Sequence, residues 1–420
     1  MGCSSPSRFW PTKGWLKGED RLARAFNWPY VSAMTQAVIS LTDPLPLAQA
    51  LIRAPSVTPL DEGALDTLQS ALTTLGFACQ RMPFGEVDNL YARLGTADPV
   101  FCFAGHTDVV PAGQETAWSA GPFAGEVHGD ALIGRGAVDM KGAIAAFVAA
   151  TARCLADGQP KGSIAFLITG DEEGPAVNGT KKMLQALEAQ GERFTHCLVG
   201  EPTNRAVLGD MVKIGRRGSL NGVLTVSGRQ GHVAYPDRAI NPIPALMAVL
   251  TALTARTLDD GNDHFQPSNL EVTSVDTGNP AHNVIPGEAR AKFNIRFNTE
   301  QDGEALKNWV HSEIAKVQQG FAGTISADLI VTGDAFQTPE GSFTALLSQA
   351  ILARTGITPE LSTSGGTSDA RFIKDYAPVA EFGLVGASMH QVDEQTPVAD
   401  IKVLTEIYHD ILTRYFEVFT

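Results

Sequence analysis

Four short apolar runs in this sequence each lead into a knot of ionisable residues, and that repetition constrains the fold more than any other feature. The run 100–105 (VFCFAG) precedes His106 and Asp108, and 163–169 (SIAFLIT) precedes Asp171, Glu172 and Glu173. The run 197–199 (CLV) precedes Glu201, and 379–385 (VAEFGLV) precedes His390. Continuous apolar runs bounded by Gly and separated by helical stretches predict buried strands of a largely parallel sheet. The Ala-rich segment 143–155, following Lys141 and Gly142, predicts a crossover helix between two of them. Open α/β sheets bind ligands beyond the carboxyl ends of their strands. One acidic knot alone reads as a solvated loop; four in the same register point to one site.

A chain of 420 residues exceeds the size at which a single hydrophobic core stops growing, which favours two domains. The texture changes between 215 and 332. Segments 219–226 and 288–297 alternate apolar with polar residues, the pattern of antiparallel strands with one wet face. Apolar helical patterns cover 242–258 and 304–317. The expected architecture is therefore α/β: a mostly parallel sheet flanked by helices, built from 34–214 and 333–420, interrupted by an α+β domain at 215–332. Residues 1–33 hold Trp10, Trp15 and Trp28, and five Lys/Arg against two Asp/Glu, a sign opposite to the rest. They lack the apolar stretch of a secretory signal, and are expected to form a disordered extension or to precede an effective start at Met34.

A net charge of −14 argues against nucleic acid or an anionic membrane surface as partner and favours a small solute. No run reaches the roughly 18 apolar residues that span a bilayer. Five dispersed cysteines without a C-x-x-C pair suggest neither a disulfide framework nor a thiolate zinc site, and the expected location is cytoplasmic. H-E-x-x-H, P-loop and G-x-S-x-G motifs are missing; 366–370 (GTSDA) lacks the second Gly of the last.

What remains is His106, Asp139, Glu173, Glu201 and His390. Imidazole and carboxylate without thiolate suit Zn, Co or Mn, and one carboxylate can bridge two ions about 3.5–4 Å apart. Five such side chains can hold two ions with positions left for water and substrate. Asp108, two positions beyond His106, is expected to accept a hydrogen bond from that imidazole. Glu172, beside a ligand, is expected to act as general base. The plainer alternatives are a structural buried His and a solvent-facing acidic run at 171–173.

In combination, 105–110 (GHTDVV), 134–142 (GRGAVDMKG) and 169–174 (TGDEEG) resemble the M20 family of dinuclear metallohydrolases, with the likeness running over residues 40–415. The resemblance implies that Asp139 bridges two divalent ions, zinc or cobalt, that His106 and Glu201 complete one site, and that Glu173 and His390 complete the other. It implies amide hydrolysis in which Glu172 takes a proton from water and returns it to the leaving amine.

The segments 200–203 (GEPT), 215–219 (GRRGS), 230–236 (QGHVAYP), 283–286 (NVIP) and 364–372 (SGGTSDARF) are similar to members acting on a succinyl amide of an amino acid. A related deacylase or peptidase is the second reading. The likeness further implies a homodimer formed by the inserted lid domain, with His232 reaching the neighbouring subunit's site and stabilising an oxyanion. Arg216, Tyr235, Asn283, Arg296 and Thr367 would then lie along the substrate, and guanidinium suits substrate carboxylates because it can pair with them bidentately. Gly386 stands where some relatives carry Asn.

Overall fold

An eight-stranded sheet forms the centre of the computed structural model, which describes residues 41–420. The expectation for 1–33 lies outside the described residues. From edge to edge the strands are Ala78–Arg81, Leu90–Leu94, Ser163–Thr169, Val100–His106, His196–Val199, Val379–Glu381, Met211–Lys213 and Glu360–Ser362. The four in the middle, from Ser163–Thr169 to Val379–Glu381, run parallel. Antiparallel pairs flank them on both sides, between Leu90–Leu94 and Ser163–Thr169 and between Val379–Glu381 and Met211–Lys213. The fold is thus α/β with a mostly parallel sheet. Every residue of Val100–His106 and of Ser163–Thr169 is buried, so these runs are apolar throughout rather than alternating.

Helices cover both faces. The expected crossover helix spans Lys141–Asp157, and its residues from Lys141 through Ala152 are all buried. Alanine makes that possible: small side chains let this helix lie between the sheet and the helix Val398–Val418. Phe147 provides the bulk, stacking on Phe103 of the sheet at 4.2 Å and meeting Tyr408 edge-on at 5.4 Å. On the opposite face Met183, Leu184 and Leu187 of Thr180–Ala189 pack with Ala370 and Ile373.

The run 379–385 is strand only over Val379–Glu381. The chain then leaves the sheet, so the expected strand is shorter and carries the buried acid Glu381 at its end.

A second, four-stranded antiparallel sheet orders Asn269–Asp276, Glu288–Phe297, Gly218–Ser227 and Thr324–Gly333. Helices Pro242–Thr254 and Gly303–Gln318 pack on it through Leu246, Val249, Leu306, Val310 and Ile314. In Glu288–Phe297 the alternate residues Ala289, Ala291, Phe293, Ile295 and Phe297 are buried, as the sequence pattern predicts. Gly215–Arg216 pairs antiparallel with Phe336–Gln337, so the outgoing and returning chain run side by side between the sheets. No helix among the described residues is long and apolar enough to cross a membrane, and Cys79, Cys102, Cys154 and Cys197 are free.

Candidate metal centre and substrate cavity

Two glycines allow the ligand-bearing segments to converge. Gly105 precedes His106, the last residue of its strand, and Gly200 precedes Glu201, just beyond His196–Val199. A Cβ at Gly105 would lie 2.4 Å from Met140 Cε, and one at Gly200 would lie 2.7 Å from the same atom. Met140 follows Asp139, so its side chain occupies the space that the two missing Cβ atoms leave, and a larger residue at either glycine would have to displace it.

All five residues expected to bind metal come together. His106 Nε2 lies 3.1 Å from Asp139 Oδ1 and 3.6 Å from Glu201 Oε1. His390 Nε2 lies 3.2 Å from Asp139 Oδ2 and 2.9 Å from Glu173 Oε1. The two oxygens of Asp139 therefore face two different histidines, which is the arrangement a bridging carboxylate needs. His106, Glu172 and Glu173 form a third close group. The His106 side chain is only 1% exposed, whereas that of His390 is 44% exposed.

The electrostatics of the cluster call for cations. Burial and the nearby Asp139 push the Glu201 carboxyl up to about 7, and burial with Glu201 pushes Glu172 well above the carboxylate range. Glu201 Oε1 is buried without a hydrogen-bond partner. His390 is raised to about 10 by its contacts with Asp139 and Glu173. Buried acids of one sign, an orphaned oxygen and imidazole nitrogens aimed at carboxylates form a donor set that divalent ions fit.

Asp108 is placed differently from expectation. His106 Nδ1 faces the backbone carbonyl of Asp108 at 2.9 Å, while the nearest Asp108 carboxylate oxygen is 3.7 Å away. Thr107 N–H bonds Thr169 O at 3.0 Å and Val109 N–H bonds Ser56 O at 2.9 Å, which fixes the backbone beyond the strand with the Asp108 carbonyl against the ring. The freed carboxylate accepts the backbone N–H of Glu172 at 3.2 Å, that of Glu173 at 3.1 Å, and the Thr58 hydroxyl at 2.5 Å. Asp108 thus anchors the turn that carries the expected base and a ligand.

A cavity of about 660 Å³ opens beside this cluster. Glu172 and Glu173 line one part; Arg296, Thr367, Ser219, Asn221 and Arg371 line others. Arg296 Nη1 is buried without a partner. Arg216 is not among the lining residues. Its guanidinium grips the buried Glu381 through both terminal oxygens, with Nε to Oε1 at 2.9 Å, and Nη1 donates to Gly366 O at 3.0 Å. Ser368 also donates to Glu381, at 2.7 Å. Arg216 therefore holds the 364–368 segment that presents Thr367.

His232, Tyr235 and Asn283 sit together on an exposed two-stranded ribbon, where His232 pairs with Val284. The Val233 N–H donates to Asn283 O at 3.1 Å, and the His232 and Tyr235 rings lie 5.7 Å apart. Among the described residues no hydrogen bond or ion pair joins them to the metal cluster. Sequence reasoning missed Glu381, Glu394, Arg135 and Arg371. A lone acid inside the apolar run 379–385 was the local signal for Glu381; Arg135 and Arg371 lay within the segments 134–142 and 364–372 without being singled out, and Glu394 carried no signal.

The model of the peptidase family M20/M25/M40 matches residues 102–414. A succinyl-diaminopimelate desuccinylase of Maricaulis maris (strain MCS10) is 66% identical over 379 residues, covering 90% of this chain and 97% of that relative. One from Parvibaculum lavamentivorans is 56% identical over 391 residues, covering 92% and 99%. Among solved structures, an M20 family metallo-carboxypeptidase from Sulfolobus solfataricus superimposes with a TM-score of 0.74 at 18% identity, covering 90% of this chain and all of that one. A dinuclear metal binding peptidase from the M20 family, the YXEP protein of Bacillus subtilis, gives 0.68 at 16% identity, covering 92% and 99%.

Proposed function

This chain belongs to the peptidase family M20/M25/M40, and from that premise we propose that it hydrolyses N-succinyl-L,L-2,6-diaminopimelate to succinate and L,L-2,6-diaminopimelate, a step toward lysine and cell-wall diaminopimelate. The observation that carries this is a cavity that meets the donor cluster at Glu173 and is lined beyond it by the half-buried Arg296, whose Nη1 is buried without a partner. A substrate with an amide at one end and carboxylates beyond it matches that layout. The relatives at 56–66% identity carry the name of this activity.

His106 and Glu201 would hold one divalent ion, Glu173 and His390 the other, and Asp139 both; zinc is the first choice and cobalt the second. Bound there, such ions polarise the amide carbonyl and acidify water. Glu172, half-buried where it lines the cavity, takes the proton from the attacking water and delivers it to the leaving amine. Asp108 keeps Glu172 and Glu173 in register through their backbone N–H groups. Thr367 and Arg296 orient the substrate, and Arg216 supports Thr367 through Gly366.

Residues 215–332 act as a lid and dimerisation domain, and the protein works in the cytoplasm as a homodimer. His232, with Tyr235 and Asn283, serves the partner's site; all three are exposed, and among the described residues no hydrogen bond or ion pair ties them to the cluster of their own subunit. Purified protein incubated with the succinyl amide, and separately with acetylornithine, distinguishes this activity from that of a related deacylase.

A further inference from the structure

His390 is the exposed member of the cluster, so side-chain packing does little to hold it. Its backbone is in the left-handed region, at φ 64°, as is Asp393 at φ 58°, so the turn 390–394 adopts a conformation that L residues avoid. Contacts beyond the turn's own backbone must hold it. The buried side chain of Glu394 does so, and it reaches the opposite ligand loop. Its Oε1 accepts backbone N–H groups of Gly136 at 3.1 Å, Val138 at 2.9 Å and Asp139 at 3.1 Å. Its Oε2 accepts Arg135 Nη1 at 2.7 Å. Arg135 Nη2 returns to the turn, donating to His390 O at 3.3 Å, and also meets Pro111 O at 3.4 Å. The guanidinium lies 5.3 Å from the Trp118 ring, and the Glu394 backbone carbonyl accepts the Gly134 N–H at 2.9 Å. Arg135 is 2% exposed and Glu394 is 0% exposed.

One carboxylate therefore grips the backbone of Asp139, and its guanidinium partner grips the backbone of His390. We infer that Arg135 and Glu394 form a positioning pair that sets the separation of Asp139 from His390, and with it the affinity of the ion site formed by Asp139, Glu173 and His390. The inference rests on the two-ion assignment. The His106–Glu201 side is built on buried strand ends and meets the pair only through Asp139, whereas the other side meets it through both Asp139 and His390. Neither residue touches a donor atom of the cluster; both act through backbone.

The double variant Arg135→Met/Glu394→Gln tests this without leaving a buried charge unpaired, and the Gln can still accept the three N–H groups through its carbonyl oxygen. Cobalt(II) titration of metal-free protein, followed by absorption and elemental analysis, counts the ions and ranks their affinities. Wild type takes up two. The variant is expected to keep the tighter site and to lose roughly 10- to 100-fold in affinity at the other, the range seen when outer partners of metal ligands are removed. Arg135→Lys, which retains the charge but cannot reach all the acceptors at once, shows a smaller loss at the same site. A folded double variant that binds both ions as wild type does, or that weakens both equally, overturns the inference. Wild-type protein that binds fewer than two ions overturns the two-ion assignment along with it.

Discussion

Asp108 Oδ2 accepts the backbone N–H of Glu173 at 3.1 Å, so an acid at one strand end holds the turn at the next. Asp108→Asn keeps the volume but can turn an NH2 group toward one of two backbone donors. A charge-assisted hydrogen bond of about 1.5–3 kcal/mol is at stake, which predicts a kcat lower by roughly 10- to 100-fold. Because the same carboxylate holds Glu173, metal affinity at the Glu173 side should weaken as well; a variant with unchanged kcat and unchanged metal affinity would remove the anchoring role.

Burial holds the pairing of Arg216 with Glu381 to a high standard. Glu381→Gln removes the counter-charge of a guanidinium that is 8% exposed. Breaking a buried pair from one side costs about 3–5 kcal/mol. Chemical denaturation should show that loss, together with a higher KM as Gly366 and Thr367 loosen. An unchanged unfolding midpoint would mean that water reaches the site.

Metal uptake should be linked to protons. With Glu201 pushed up to about 7 and His390 up to about 10, both carry protons in metal-free protein in mildly acidic solution and must lose them on binding an ion. Affinity therefore rises with pH and falls off as pH drops below about 7. Calorimetric titrations in buffers of different ionisation enthalpy should reveal proton release, and affinity that does not vary between about pH 6 and about pH 8 would contradict the assignment of these ligands.

How much of this was legible in the sequence depended on range. The five ligand-type residues stood out because each follows an apolar strand run or, for Asp139, precedes the Ala-rich helix, and local periodicity reports such placements. The second sheet was visible in the alternation of 288–297. The pairings that support the site were not visible: Arg216 meets Glu381 and Arg135 meets Glu394 across 165 and 259 residues, and no local pattern encodes which buried charges will meet. The spacing of His106 and Asp108 suggested a side-chain contact, but the backbone carbonyl lies closer to the ring than the carboxylate does. The run 379–385 looked like one strand because apolar residues after Glu381, such as Phe382 and Leu384, are buried in the core outside the sheet.

The proposed cross-subunit service by His232 has a direct consequence. His232→Ala and Glu172→Gln should each be nearly inactive alone. Coexpressed, they form mixed dimers in which one site combines an intact Glu172 with the other subunit's His232, restoring roughly a quarter of wild-type activity under statistical pairing. No restoration in verified mixed dimers would place His232 in its own subunit's site or outside catalysis.

Glu172→Gln should keep both ions yet lower kcat by roughly 10²- to 10⁴-fold, the span assigned to a general base. Turnover near wild type would remove that role.

The central claim is metal-dependent hydrolysis of a succinylated diamino acid, and the most direct measurement follows release of succinate from N-succinyl-L,L-2,6-diaminopimelate as zinc is titrated into chelated protein. The account predicts negligible turnover without metal and a rise that saturates by two ions per chain. Full turnover in metal-free protein, or no cleavage of this amide at any zinc level, would contradict it.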